Sequence, residues 1–411
     1  MKYQFFLTLL LISAGVTGVY PQINHKSISF DRARELIIEG NCGLKAAQTD
    51  IDAAQAGIEQ AGVRPNPSAA ISFENFGINE FEITAEQIFE LGGKRHLRIE
   101  AASKEKEAIR NSYQSVQSKL EVEMVRRFIP IATIDQKLQL IDSTIAVEES
   151  ALQQIQRRID AGVGKRADLL RAEIEIERLR LDRIELERDN TQARYNFAAL
   201  GGLKDSSLLM VKGALDNGVV VPSLEQLLDA THRSPLITAD AIETARLGIT
   251  KKVLKAEAAP DIAVSAGFLR NSYENENAPV IGISMEIPLY NRNTAAQRQV
   301  ELQQKAVTLR KDNTLRQMDA EILDLSSRVV LIDKKIALLE STTIPKAGRV
   351  YDYLQEYYLA GNAGFVDLAQ SRSQLLELQI ELLDMGTQRA GILADLMQIT
   401  SLPIQIIKPE K

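Results

Sequence analysis

The sequence predicts a mainly α-helical chain with a small β part, written as one unit repeated twice. Three observations carry this reading. Long tracts rich in Ala, Leu, Gln, Glu and Arg run almost free of Gly and Pro. Two short segments switch from helical spacing to strict two-residue alternation. The punctuation of the first half then returns in the second at a nearly constant offset, the mark of an internal duplication.

Composition narrows the class. At 411 residues, length alone would suggest two or three globular domains. A 45% hydrophobic share excludes a disordered chain, and the lone Cys42 excludes a disulfide scaffold or a Cys-rich metal site. A net charge of −6 gives no broad positive field, so no nucleic-acid partner is expected.

Residues 1–18 carry Lys2, an apolar run Phe5 to Ile12, and the small residues Ser13, Ala14, Gly15, Thr17 and Gly18. This is the layout of a secretory signal cut near Gly18, and the run is too short for a spanning helix, which needs about 20 residues. No later stretch is long and apolar enough to span as a helix, so any membrane-crossing part must be built of strands. The first repeat covers 19–203. Residues 28–62 read as a helix, stopped by Pro65-Asn66-Pro67, and a hairpin follows over 68–90. Gly92-Gly93 ends the hairpin; long helices are expected over 94–160, kinked at Pro130, and over 165–200, with Ala161-Gly162-Val163-Gly164 as the turn.

Residues 204–222 form a linker or equatorial segment, and 223–403 repeat the order. A helix is expected from Ser223 to Ala258, then a hairpin over 261–289, long helices over 293–359 and 365–399, and a tail over 404–411. Ala161-Gly162 matches Ala360-Gly361, Asp168-Leu169 matches Asp367-Leu368, and Leu203 matches Leu402, each 199 apart. At the first strand the offset is 193, from Pro67 to Pro260, so the second hairpin loop is expected to be six residues longer.

In both hairpins one face is apolar. Ile71, Phe73 and Ile83 share it in the first; Ile262, Val264, Phe268, Ile281, Ile283 and Met285 share it in the second. The other face carries small or polar residues such as Ser72, Glu82, Thr84, Ser265, Gly282 and Ser284. One such hairpin also fits a soluble, half-buried ribbon. Two of them behind a secretory signal favour membrane strands with lipid outside and water inside. Four strands cannot close a barrel, since the smallest need about eight, whereas three chains would supply twelve. The 94–160 tract would measure about 100 Å at 1.5 Å per residue. Its stripe, including Ile109, Tyr113, Val116, Leu120, Met124, Ile131 and Leu138, must be covered by neighbouring helices. A secreted coiled-coil scaffold or adhesion protein without channel activity is the alternative that the helices alone would allow.

At this point the sequence resembles the TolC-like outer membrane efflux family, most closely its CusC/CzcC-type branch. The residues that carry the resemblance are Arg64-Pro65-Asn66-Pro67, Glu90-Leu91-Gly92-Gly93-Lys94-Arg95, Ile287-Pro288-Leu289-Tyr290-Asn291-Arg292, and the run Tyr358 to Gln370. The resemblance implies a homotrimer, with a twelve-stranded β-barrel in outer membrane lipid standing on a long α-helical barrel in the periplasm. It implies a passive exit duct coupled through a periplasmic adaptor (membrane fusion) protein to an inner-membrane transporter of RND type. Metal cations or small toxic compounds would be the exported material. Two departures stand out: Cys42-Gly43 replaces a frequent Asn-Pro, and the lipid-bearing N-terminal Cys of some relatives is missing.

The resemblance also assigns residues. Asp367 falls at a pore-constricting acidic position, Gln370 lies one turn on, and Asp168 and Tyr358 match positions of a gate-latching network, with Arg171 and Arg166 expected to form ion pairs across the tips. Three Asp367 carboxylates around one axis would repel one another and attract cations; equally, Asp168 and Asp367 suit the first turn of a helix, where the dipole favours an acid. Gly162, Val163, Gly164, Gly361, Asn362 and Gly364 would present the small surface met by the adaptor. No cofactor is expected, nor a metal site: His25, His96 and His232 lie in different elements. No Ser/His/Asp or Cys/His constellation suggests an enzyme. With 5% aromatics and no Trp, an interfacial aromatic girdle has few candidates, among them Phe89, Phe268 and Tyr290.

Overall fold

The computed structural model describes residues 27–74, 80–202, 206–271 and 275–408. The expected signal segment 1–18, His25, Leu203 and the tip of the first hairpin lie outside them. In chain order the elements are β1 (Ile28–Ser29), α1 (Phe30–Gly40), α2 (Cys42–Ala61), β2 (Ser68–Glu74), β3 (Glu80–Phe89), α3 (Lys94–Asp160), α4 (Arg166–Ala198), β4 (Val211–Lys212), α5 (Leu224–His232), α6 (Pro235–Glu257), β5 (Ile262–Asn271), β6 (Glu276–Met285), α7 (Thr294–Leu338), α8 (Ile344–Leu359) and α9 (Phe365–Thr400). At 67 residues, α3 is about 100 Å long and runs unbroken through Pro130.

The helices form one elongated stack. α3 packs against α2, α4, α6 and α9, and α7 against α6 and α9. The largest core lies midway along α3, where Met124, Phe128 and Ile131 are fully buried among Ala33, Ile37, Phe197, Ile322, Leu393 and Leu396. The segment joining the two repeats enters this core: β4 pairs in parallel with β1, Val211 is fully buried, and Leu215 bridges to Ile407. Charged rungs flank the core. Arg194 reaches Asp135 at 2.7 Å, and Arg389 reaches Asp333 at 2.6 Å while donating to the Val219 carbonyl.

The two hairpins join into one antiparallel sheet of order β2-β3-β5-β6. Ile71 lies opposite Ile83, Ile83 opposite Phe268, and Val264 opposite Ile283, so the expected apolar residues share one face. Eight of the nine are exposed on it; Ile262, at the base of β5, is half-buried. The opposite face is crowded enough to need glycine at two positions: a Cβ on Gly282 would sit 2.4 Å from Ser265 Oγ, and one on Gly267 would sit 2.5 Å from the Ile83 carbonyl oxygen. Both outer edges, β2 and β6, lack a partner strand among the described residues.

Four expectations need correction. Residues 28–62 are not one helix. After β1 the chain breaks between α1 and α2 at Asn41, whose Oδ1 accepts from the Leu44 N–H at 2.9 Å and whose Nδ2 donates to the Leu200 carbonyl at 3.0 Å. The 223–258 helix breaks at Arg233–Ser234, because Pro235 starts α6 where it cannot continue α5. The 293–359 helix contains a π turn, Leu339–Thr343, closed by the Ile344 N–H on the Leu339 carbonyl and set just before Pro345. Finally, four of the six extra residues expected in the second hairpin loop follow the hairpin instead: β6 is followed by 286–293 before α7, where β3 is followed by only 90–93 before α3.

Candidate functional site at the paired helix tips

Two helical hairpins end side by side at the pole opposite the sheet. α3 turns into α4 through residues 161–165, and α8 turns into α9 through 360–364. The turns are the same object. Gly162 (φ 76°) and Gly361 (φ 82°) adopt the left-handed conformation that glycine tolerates. The Val163 N–H returns to the Arg158 carbonyl at 2.9 Å, and the Asn362 N–H returns to the Tyr357 carbonyl at 2.8 Å, the bond that closes a Schellman cap. Residues 199 apart thus make matching hydrogen bonds. Gly162, Val163, Gly361, Asn362 and Gly364 are exposed, Val163 at 68%, and Gly164 is half-buried.

Below the turns the symmetry breaks. Asp168 and Asp367 both lie in the first turn of their helices, and neither is the N-cap residue. Asp168 is buried, whereas Asp367 is exposed, with exposed Gln370 one turn on. Tyr358, buried on the second tip, lies close enough to feel the charge of Asp168; its counterpart in the first repeat is Ile159. Burial, and then the charge of Asp168, push the Tyr358 phenol above its ordinary value, with Arg158 pulling the other way. Tyr358 also packs edge-on against Phe365 at 6.0 Å, within a cluster that includes Ile155, Ala172 and Leu368.

The cation that ties the tips together is neither Arg171 nor Arg166. Arg171 stays on its own helix, 3.7 Å from Asp168. Arg158 instead lies over the Tyr358 ring, 5.0 Å from its centroid, and donates to the terminal carbonyls of Tyr358 and of Leu359, the latter at 2.9 Å. It thereby satisfies acceptors that the end of α8 leaves open. One level deeper, Arg372 of α9 pairs with Glu148 of α3, both side chains under a tenth exposed. Arg372 also donates to the Tyr351 hydroxyl at 2.8 Å and stacks on that ring. Burial opposes the charge on Arg372, but Glu148 outweighs it and holds the guanidinium more basic than usual.

Sequence reasoning missed Arg158, Glu148, Arg372 and Tyr351. A signal existed for the ion pair: Glu148 is in phase with Leu152, Ile155 and Ile159, and Arg372 with Phe365 and Leu368. A charge in apolar phase asks for a buried partner. Among the described residues no group of three or more His, Cys, Asp or Glu side chains is placed to hold a metal ion.

Comparisons with known proteins agree with this architecture. A family model described as outer membrane efflux protein matches residues 34–203 and 227–401, one segment on each repeat. The cobalt-zinc-cadmium resistance protein CzcC of Cupriavidus metallidurans is 25% identical over 371 residues, spanning 89% of this chain and 88% of its own. The nickel-cobalt-cadmium resistance protein NccC of Alcaligenes xylosoxydans xylosoxydans is 24% identical over 282 residues, 64% of this chain and 62% of its own. Among solved structures, the fold is shared with CusC (TM-score 0.72, 15% identity, 91% of this chain and 92% of that one) and with the outer membrane protein VceC of Vibrio cholerae (TM-score 0.70, 16% identity, 90% and 95%). With an apolar-faced sheet, two long helical hairpins and a family model matched across both repeats, the chain belongs to the outer membrane efflux protein family.

Proposed function

We propose that three copies of this chain form a passive exit duct, its barrel in the outer membrane and its helices in the periplasm, coupled through a periplasmic adaptor to an inner-membrane transporter of RND type. The observation that carries the proposal is the sheet: four strands, two unpaired edges and one apolar face. Edges of this kind demand partners, and pairing β6 of one copy with β2 of the next closes twelve strands without a free edge. The helices support the same assembly. Leu302, Leu309, Leu323 and Val330 on α7, and Leu170, Ile174, Leu181 and Ile184 on α4, are exposed at heptad-like spacing. Such stripes suit neighbouring helices better than water.

Within the duct, Asp367 and Gln370 line the narrow end, while Tyr358 and Arg158 hold the tips against each other and Arg171 stays beside Asp168 on its own helix. The exposed turns at Gly162–Gly164 and Gly361–Gly364 meet the adaptor. Export needs no nucleophile or base here, because the energy enters at the pump. The relatives named for resistance to cobalt, zinc, cadmium and nickel favour metal cations as the exported class over organic compounds. Ile283, 76% exposed on the apolar face, tests the assembly. Ile283→Arg at a lipid-facing position near mid-membrane should cost about 2–4 kcal/mol and abolish membrane-inserted trimers. Unimpaired assembly of that variant, or a wild-type protein that is monomeric and soluble without detergent, overturns the proposal.

A further inference from the structure

At mid-height the two repeats make the same junction in different ways. A helix running from the tips ends where a helix leading to the sheet begins: α4 meets α2 in the first repeat, and α9 meets α6 in the second. The negative end of one helix dipole thus faces the positive end of the next. In the first repeat Asn41 fills the junction, capping α2 through the Leu44 N–H and holding the Leu200 carbonyl just beyond α4. Ser234 stands 193 residues on, at the start of α6, and Ile399 of α9 stands 199 residues after Leu200. Ser234 performs neither task. Its hydroxyl caps no N–H of α6 and, in a residue only 2% exposed, has no hydrogen-bond partner.

The unfilled junction is a cleft of about 430 Å³. α6 and α9 both pack between α3 and α7, and these two helices wall it. Pro235 and Leu236 line it at the start of α6, Ile399 and Ser401 at the end of α9. Of its four charged side chains, Arg126 is bound to Asp395 and also to Gln398, each at 2.6 Å. Lys119 of α3 and Glu321 of α7 are exposed and have no ion-pair partner among the described residues. The lining is therefore balanced: one open ammonium, one open carboxylate, a helix start without a side-chain cap, and a helix end. A simple anion would answer only half of it, and a metal ion finds no group of three ligands among the described residues. An apolar molecule would leave the Ser234 hydroxyl buried and unpaired.

We propose that this cleft binds a small zwitterion, a molecule with an ammonium and a carboxylate on a short chain, of the amino acid class. Its carboxylate takes the Ser234 hydroxyl, the open N–H groups at the start of α6 and Lys119. Its ammonium takes Glu321 and the carbonyl end of α9. The ligand stands where the Asn41 side chain stands in the first repeat, and ties α9 to α6 as Asn41 ties α4 to α2. The test is calorimetric titration of the full chain in detergent. The probes are glycine, β-alanine, 4-aminobutyrate and 6-aminohexanoate, which move the two charges apart stepwise, and acetate and ethylammonium, which carry one charge each. One zwitterion should bind at least about tenfold more tightly than either single-charge probe. Ser234→Asn rebuilds the first-repeat junction and should weaken that zwitterion by about tenfold or more. Lys119→Gln and Glu321→Gln, at exposed positions outside the core, should each do the same and carry the test if Ser234→Asn misfolds. Acetate binding as tightly as the best zwitterion would make the cleft a plain anion site and overturn the proposal. So would unchanged affinity in a folded Ser234→Asn protein or in both charge variants, or the absence of binding by every probe at millimolar concentration.

Discussion

The Glu148–Arg372 pair can be tested by removing one charge at a time. Both side chains are almost fully buried, at 4% and 8% exposure, so neither can turn to water if its partner is lost. Two unit charges about 4 Å apart at an effective dielectric near 20 attract by about 4 kcal/mol. Breaking such a pair from one side costs about 3–5 kcal/mol, because an uncompensated ion stays buried. Glu148→Leu should therefore weaken local stability near the tips by about that much. The double variant Glu148→Leu/Arg372→Met should recover most of it, since apolar groups of similar volume often replace a buried pair without loss. Arg372 Nε has no hydrogen-bond partner, so the native network is already imperfect and the recovery should be nearly complete. Hydrogen exchange followed by mass spectrometry on peptides from 148–159 and 365–372 reads local opening directly. A loss of about 3 kcal/mol raises exchange by more than about a hundredfold. Exchange in Glu148→Leu within threefold of wild type, or a double variant no better than the single one, would refute the reasoning.

Other predictions address the tips and the base of the sheet. Asp367→Ala should change single-channel conductance or cation preference in planar bilayers; if both stay the same, Asp367 is not at the constriction. Arg158→Ala removes two charge-assisted hydrogen bonds to the end of α8 and should speed protease nicking at the tips, with roughly 1.5–3 kcal/mol lost per bond as the upper bound. Just outside the strands, the Arg98 guanidinium holds the Glu90 carboxyl below its ordinary 4.5, against the effect of burial. A lowered folded value means a contribution present above the unfolded value and lost as pH falls through the folded one. The melting temperature in detergent should thus drop below pH 4.5, and less so in Glu90→Gln. At the opposite extreme, the raised Tyr358 phenol favours the neutral form, so its contribution is full below about pH 10 and lost above the folded value. Tyrosinate absorbance at high pH, compared with Tyr358→Phe, measures this.

Periodicity and punctuation made the duplicated plan legible. Strand parity placed Ile71, Ile83, Phe268 and Ile283 on one face, because a two-residue period leaves no other choice. The Gly162 and Gly361 turns were legible because glycine and chain reversal coincide there. Asymmetry between the repeats was not. Asp168 and Asp367 occupy the same helical position, yet one is buried and the other exposed, a difference that the matching positions in the sequence do not reveal. Nor does a helical stripe name its partner: Glu148 and Arg372 meet across more than 200 residues of chain. The break at Asn41 had a local signal in Gly40-Asn41, but its purpose is remote, since Asn41 holds the Leu200 carbonyl.

The π turn at Leu339–Thr343 separates two properties of a helix that ordinarily change together, its length and its angular phase. On α7 the inward positions run Met318, Ile322, Leu325, Val329, Ile332 and Ile336, and continue to Leu339. Carried on unchanged, that rhythm would turn Val350, Tyr353 and Tyr357 inward. Those three are half or more exposed, and the inward places belong to Tyr351, Leu354 and Tyr358, each one residue later. The extra residue of the π turn supplies that step, about 100° of rotation for little added height. Deleting one residue from 339–343 would leave Tyr358 near its present level yet swing it away from Asp168 and Arg158. The rod thus carries a built-in torsional offset that sets the orientation of the tip with almost no change in its reach.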